Sequence, residues 1–266
     1  MSELKDKKRT GLFIGLGIAT ALFFLFGQGV TWYQIGGDTL SYYVDFHHQI
    51  EVTPLYPLFF HVLDLLFGRP MYLYAAAVIQ MIVAGVCIIA FVAYIAKVFR
   101  LETVSIIMVW LASLIPFYLL CPEDPIPHVL MTESFTYPLL YIYMVFILKG
   151  LFEKKEKWFF LSCLLVEFMA LIRGQMMFLF AVSVITYFYY LMKVKFFDKE
   201  KKFFKDVAAK TIILLVCALL CIKAGSLFTQ FYEWTFFGAP AQSYSNHLKV
   251  QKAMYCSDEE DAELFS

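Results

Sequence analysis

The chain has 266 residues, 61% of them hydrophobic and 19% aromatic, with 22 Lys plus Arg offset by 22 Asp plus Glu. That apolar share and a mean hydropathy of +0.69 exclude an ordinary soluble domain and place the chain among integral membrane proteins. The apolar runs are continuous rather than alternating, which excludes a β-barrel. The zero net charge carries little information, because the side of the membrane on which charges fall matters more than their sum.

The chain opens on a basic segment with Lys5, Lys7, Lys8 and Arg9, followed by an apolar run over about 11–32. That run exceeds the roughly 7–15 residues of a signal-peptide core and has no small-x-small cleavage site before Gly36-Gly37, so it reads as a retained first span. Further spans are expected over about 71–96, 103–120, 130–149, 158–173, 175–192 and 207–229, each near the roughly 20 residues that a core of about 30 Å requires. Between the first two lies a long loop with an amphiphilic stretch from Pro54 to Phe67, too short to cross and read as a helix in the interface.

The expected fold is therefore an all-α polytopic membrane bundle of about seven transmembrane helices, with an interfacial helix in a long first external loop. Alternation of Lys and Arg supports this count. With the N-terminus inside, the internal connections hold Lys97 and Arg100, then Lys149, Lys154, Lys155 and Lys157, then Lys193 to Lys205. The external ones hold few cations, Arg69 and Arg173 among them. The expected location is the plasma membrane, with a cytoplasmic N-terminus. Residues 1–235 form the transmembrane module, and 236–266 form an external acidic tail that reads as the start of a further C-terminal part.

Among the six cysteines, Cys87, Cys163, Cys217 and Cys221 lie in apolar runs, where cysteine acts as a small hydrophobe. No spacing reads as a zinc site.

Charged residues in or next to spans are costly and mark candidate sites. Gly36-Gly37-Asp38-Thr39-Leu40-Ser41-Tyr42-Tyr43 follows the first span. Asp38 there suits a helix N-cap and equally a carboxylate at a cavity mouth, serving as general base or metal ligand. Glu51, with His47 and His48, leads into Val52-Thr53-Pro54-Leu55-Tyr56-Pro57-Leu58 and is placed to contact a headgroup. The proline-rich loop Cys121 to His128 carries Glu123, Asp124 and His128, which read either as a solvated cap or as part of the site beside Asp38.

Glu133 opens the fourth span in Thr132-Glu133-Ser134, and Arg173 closes the fifth against the charge rule. Arginine's planar fork suits phosphate or carboxylate, so Arg173 reads as a phosphate ligand or as the partner of Glu133 or Glu167. Glu167 lies mid-span, as an interhelical pair or a protonated carboxyl. The Lys–Phe alternation from Lys193 to Asp206 reads as an interfacial segment on anionic lipid rather than a nucleic-acid surface. No nucleotide-binding or hydrolase motif occurs.

Together, Asp38 with Tyr42 after the first span, the long first loop, Glu51 to Leu58, Thr-Glu-Ser at Thr132 to Ser134 and Arg173 resemble the GT-C superfamily of polytopic glycosyltransferases. The resemblance is to bacterial members of the protein-mannosyltransferase and aminoarabinose-transferase type. It implies transfer of a sugar from a polyprenyl-phosphate donor to an acceptor outside the cytoplasm, with inversion and without a nucleotide. Asp38 would be the base or metal-site carboxylate, Arg173 the donor-phosphate ligand, and Glu133 the residue orienting Arg173 or the acceptor. Tyr42, Glu51 and His128 would line the substrate site. Several members carry two acids in the first loop, whereas Asp38 stands alone here unless Glu51 replaces the second. A divalent-cation requirement is thus left open, with Asp38 and Asp124 as the ligands of any such ion. The implied partners are the lipid-linked donor, membrane lipid and an unspecified acceptor. A transporter using Glu133, Glu167 and Arg173 as a relay, or a non-catalytic assembly subunit, are the rival readings.

Overall fold

The computed structural model describes residues 2–26, 53–119, 129–196 and 203–237. The described residues form helices: α1 (Ser2–Phe26), α2 (Leu55–Phe67), α3 (Met71–Val98), α4 (Thr103–Leu119), α5 (Glu133–Glu153), α6 (Lys157–Ile172), a 3₁₀ turn (Gly174–Met177), α7 (Phe178–Phe196) and α8 (Phe203–Phe237). Each run that hydropathy singled out corresponds to a helix over most of its described part, the exceptions being 130–132 before Glu133 and Arg173 after Ile172. Among the described residues, five segments are long and apolar enough to cross a membrane: Arg9–Phe26, Met71–Val98, Glu133–Glu153, Gly174–Lys193 and Asp206–Thr235. The chain is a multi-pass helical membrane protein. Helices α4 and α6, of 17 and 16 residues, fall short of that length.

Helix α2 has 13 residues, about 20 Å at 1.5 Å per residue, which is less than the hydrocarbon thickness. Pro54 precedes its first residue and Pro57 lies in its first turn, where a missing N–H costs nothing. Gly68 ends it at φ 69° and ψ 170°, a positive-φ extended geometry open essentially to glycine alone, and its N–H donates to the Asp64 carbonyl at 2.8 Å. One face buries Tyr56, Phe60 and Leu63, while Leu65, Leu66 and the last residue, Phe67, remain exposed. The buried face docks on α3 and α5. Gln80 Nε2 donates to Tyr56 Oη at 2.6 Å, and Phe59 meets Phe135 edge-on with ring centroids 5.0 Å apart.

Two apolar cores share α5. One gathers α1 to α5 around Phe24, Tyr56, Phe60, Ile88 and Phe117; the other gathers α5 to α8 around Tyr143, Phe159, Met169, Tyr187 and Leu214. Without a hydrophobic drive between helices in lipid, small residues and interhelical hydrogen bonds select the contacts. Trp110 Nε1 donates to Thr20 Oγ1 at 2.8 Å, and Tyr141 Oη donates to the Ser113 carbonyl at 2.8 Å, joining α4 to α1 and α5 to α4. In the second core, Ser183 Oγ lies 3.1 Å from both Tyr143 Oη and Ser162 Oγ, so one α7 hydroxyl links α5 and α6. Ser183→Ala is expected to lower the thermal midpoint in detergent, each lost bond costing about 0.6–1.7 kcal/mol.

The helix termini sort into two ends. At one, Arg9 Nη2 donates to the Ala96 carbonyl at 2.7 Å, Phe99 packs on Phe152, and Lys210 pairs with Glu156. That lysine-rich end joins the starts of α1, α6 and α8 to the ends of α3 and α5. The opposite end joins the starts of α2 and α5 to the end of α6 and holds Arg173.

Candidate functional site

Two helix ends meet at Arg173. Helix α6 stops at Ile172 because Arg173 turns extended (φ −148°, ψ 105°), with its N–H still bonded to the Met169 carbonyl at 2.8 Å. The 3₁₀ turn Gly174–Met177 then leads into α7. Helix α5 starts at Glu133 after a short turn, which Ser134 Oγ closes by donating to the Val129 carbonyl at 2.5 Å. An acid in a first helical turn and a cation at a helix C-terminus each face the favourable end of a helix dipole.

Arg173 Nη1 forms an ion pair with Glu133 Oε1 and also donates to Thr132 Oγ1 at 3.2 Å. The Thr132 hydroxyl in turn donates to Glu133 Oε2 at 2.9 Å, and Arg173 Nε donates to Gln175 Oε1 at 3.1 Å. Among the described residues, no bond engages Nη2, and the side chain keeps 25% exposure against 14% for Glu133. Glu133 and Thr132 thus hold Nη1 and Gln175 holds Nε, which leaves Nη2 as the guanidinium nitrogen without a bond among the described residues. Thr53, where the described chain resumes before α2, donates through Oγ1 to the Ile172 carbonyl at 2.5 Å. That bond satisfies one of the carbonyls left unpaired at the end of α6 and brings the entry of α2 to the site.

Beside this charged group lies an apolar groove of about 290 Å³ between α2, α5 and α6, lined by Leu55, Phe59, Val62, Phe135, Phe168 and Ile172 among others. Ile172 directly precedes Arg173 and Phe135 lies two residues beyond Glu133, while neither charged residue is itself part of the groove lining. A polar head that accepts hydrogen bonds in a plane, attached to a hydrocarbon chain, matches this pairing of charge and apolar wall. No protein-family model, curated protein or solved structure matches the chain.

Of the residues singled out in the sequence, the structure brings Glu133 and Arg173 into direct contact. Asp38, Tyr42, Glu51, Asp124 and His128 lie outside the described residues. Among the described residues, no group of three His, Cys, Asp or Glu is placed to hold a metal ion. Glu167 stands apart from the Arg173 pair: its carboxyl packs onto Gly225 of α8, and Oε2 is buried without a partner among the described residues. Of the three residues in the transporter reading, Glu133 and Arg173 are ion-paired, and no hydrogen bond or ion pair among the described residues connects Glu167 to either. Cys87, Cys163, Cys217 and Cys221 are free thiols.

Thr132, Gln175 and Thr53 are site residues that sequence reasoning did not assign. Thr132 and Gln175 border the flagged residues, and adjacency to a charge at a span boundary was the available signal. Nothing local marks Thr53, because its partner lies 119 positions away.

Proposed function

We propose that this chain is a membrane glycosyltransferase that moves a sugar from a polyprenyl-phosphate donor to an acceptor at the Arg173 end of the bundle. One observation carries the reading: an arginine held by a carboxylate and a threonine, with Nη2 unbonded among the described residues, adjoins in sequence a residue that lines an apolar groove. Arg173 Nη2 binds the donor phosphate, and the lipid chain follows the groove with α2 as one wall. Helix α2 lies in the interface, α4 and α6 complete seven crossings, and the lysine-rich end is cytoplasmic in accord with the positive-inside rule. The active face is then external, on the plasma membrane.

The chemistry is a single displacement. Asp38 takes the proton of the acceptor hydroxyl, and that oxygen attacks the anomeric carbon. The bond from that carbon to the phosphate oxygen breaks with inversion, and polyprenyl phosphate departs with the electron pair. It leaves already anionic, and Arg173 stabilises the charge that builds on it. Glu133 fixes the guanidinium, while Tyr42, Glu51 and His128 contact donor or acceptor. If a divalent cation takes part, Asp38 and Asp124 are its carboxylate ligands.

Asp38→Asn keeps the shape and capping capacity of the side chain but cannot accept the proton. Glycan transfer is expected to fall by about 10²–10⁴-fold with unchanged membrane insertion. Normal product from a fully inserted Asn variant would remove the enzyme reading and favour an assembly role.

A further inference from the structure

We infer that the lysine-rich end carries a built binding site for the phosphate of an anionic phospholipid, between the end of α3, the end of α5 and the start of α6. At its centre is Lys149, whose Nζ lies 4.2 Å from the Trp158 ring centroid and 5.6 Å from that of Tyr94. Lys157 Nζ approaches the same indole at 5.1 Å. Trp158 is fixed in turn, stacked on Phe146 at 5.5 Å and donating through Nε1 to Glu153 Oε2 at 3.3 Å. Two ammonium groups thus approach one immobilised ring, whose quadrupole attracts cations without neutralising them.

The polar groups around them are unevenly satisfied. Tyr94 is 8% exposed, and its hydroxyl is buried without a partner among the described residues. Such an orphan group is costly unless something outside the chain bonds to it. Across the two turns at this end, 97–102 and 149–157, the chain carries six cations and three acids. Glu156 is committed to Lys210 and Tyr187, and Glu153 to Trp158. None of the six cations forms an ion pair with a described residue.

Both turns also place a cation where glycine is favoured. Arg100 has φ 52° and Lys154, the C-cap of α5, has φ 55°. Left-handed backbone at such residues is disfavoured. Retaining cations there is accounted for if their charge is used.

A lipid phosphate fits better than a soluble one. Phe99 and Phe152, 54% and 52% exposed, pack edge-on at 5.7 Å beside these cations and present an apolar surface to acyl chains. Lys149 is also 16 residues along α5 from Glu133, about 24 Å, so it sits near the opposite boundary of the hydrocarbon from Arg173. The site is independent of the transferase reading.

The test uses the full chain in vesicles, with Trp32, Trp110 and Trp234 replaced by Phe so that Trp158 alone reports. Brominated phosphatidylglycerol is expected to quench Trp158 with a roughly fivefold preference over brominated phosphatidylcholine, the preference shrinking with salt. Lys149→Gln with Lys157→Gln should abolish that preference. Lys157→Gln alone, at an exposed position, should reduce it if the double variant fails to insert. Equal quenching by the two lipids would overturn the proposal. Relief of quenching by millimolar inorganic phosphate would equally overturn it, in favour of a free phosphate ligand.

Discussion

Arg173→Ala is expected to reduce sugar transfer by about 10²–10³-fold, the loss seen when one donor to a developing anion is removed from a preorganised site. The guanidinium is fixed at Nη1 by Glu133 and Thr132 and at Nε by Gln175, so Nη2, unbonded among the described residues, is held in a set direction. Arg173→Lys keeps the charge but loses the fork that, under the proposed function, would serve Glu133 and phosphate together, and should recover only part of the rate. The alanine variant also strands Glu133, which is 14% exposed, at a membrane boundary. Breaking a fully buried pair costs about 3–5 kcal/mol, and the residual exposure here brings that to about 1–3 kcal/mol.

Stability and activity are separable by pairing substitutions. Arg173→Gln with Glu133→Gln removes both charges and should restore the thermal midpoint while transfer remains lost. Recovery of transfer in the double variant would show that Arg173 serves only to neutralise Glu133. Activity is read as glycan product, and stability as thermal unfolding in detergent.

Two glycines should respond very differently to the same methyl group. A Cβ at Gly150 would stand 2.5 Å from Phe159 Cε2 and 2.6 Å from Cζ. Phe159 has no exposed surface and is wedged between Tyr187 and Tyr190, with ring centroids at 5.0 and 5.4 Å. It cannot retreat without moving α7. Gly150→Ala is therefore expected to destabilise the second core by about 1–3 kcal/mol, despite a helix-propensity gain of up to about 1 kcal/mol. Phe159→Leu in the same chain should recover much of that loss, giving a measurable coupling between α5 and α6.

Gly225 in α8 also sits under a neighbour, here the Glu167 carboxyl, which a Cβ would displace. That group is the end of a flexible side chain, and its buried Oε2 has no bond to lose among the described residues. Gly225→Ala should stay within about 0.5 kcal/mol of the parent, the propensity gain offsetting the shift. Equal damage at the two positions would mean that Glu167 is held as firmly as Phe159.

Helix existence was readable because it depends on local properties. The predicted 71–96 run is α3 (Met71–Val98), and the break expected near Arg173 is the extended residue between α6 and the 3₁₀ turn. Ends were read less well. Helix α8 begins at Phe203 and continues to Phe237, beyond the apolar run at both ends, because polar residues extend a helix that hydropathy does not register. Glu133 and Arg173 were recognisable as a pair because charges at span boundaries are few and opposite signs seek each other.

The amino-acid sequence by itself determined a multi-pass helical membrane protein, the positions of its helices, and two boundary charges placed at a common end. These follow from hydropathy and charge, which are properties of short segments. Only the tertiary structure decided that Thr132, Gln175 and Thr53 complete the Arg173 group, that an apolar groove opens beside it, and that Glu167 turns away onto Gly225. It also decided that Lys149 is held between two aromatic rings. Each of those outcomes depends on how helices distant in sequence rotate and tilt against one another, and packing sets that rotation.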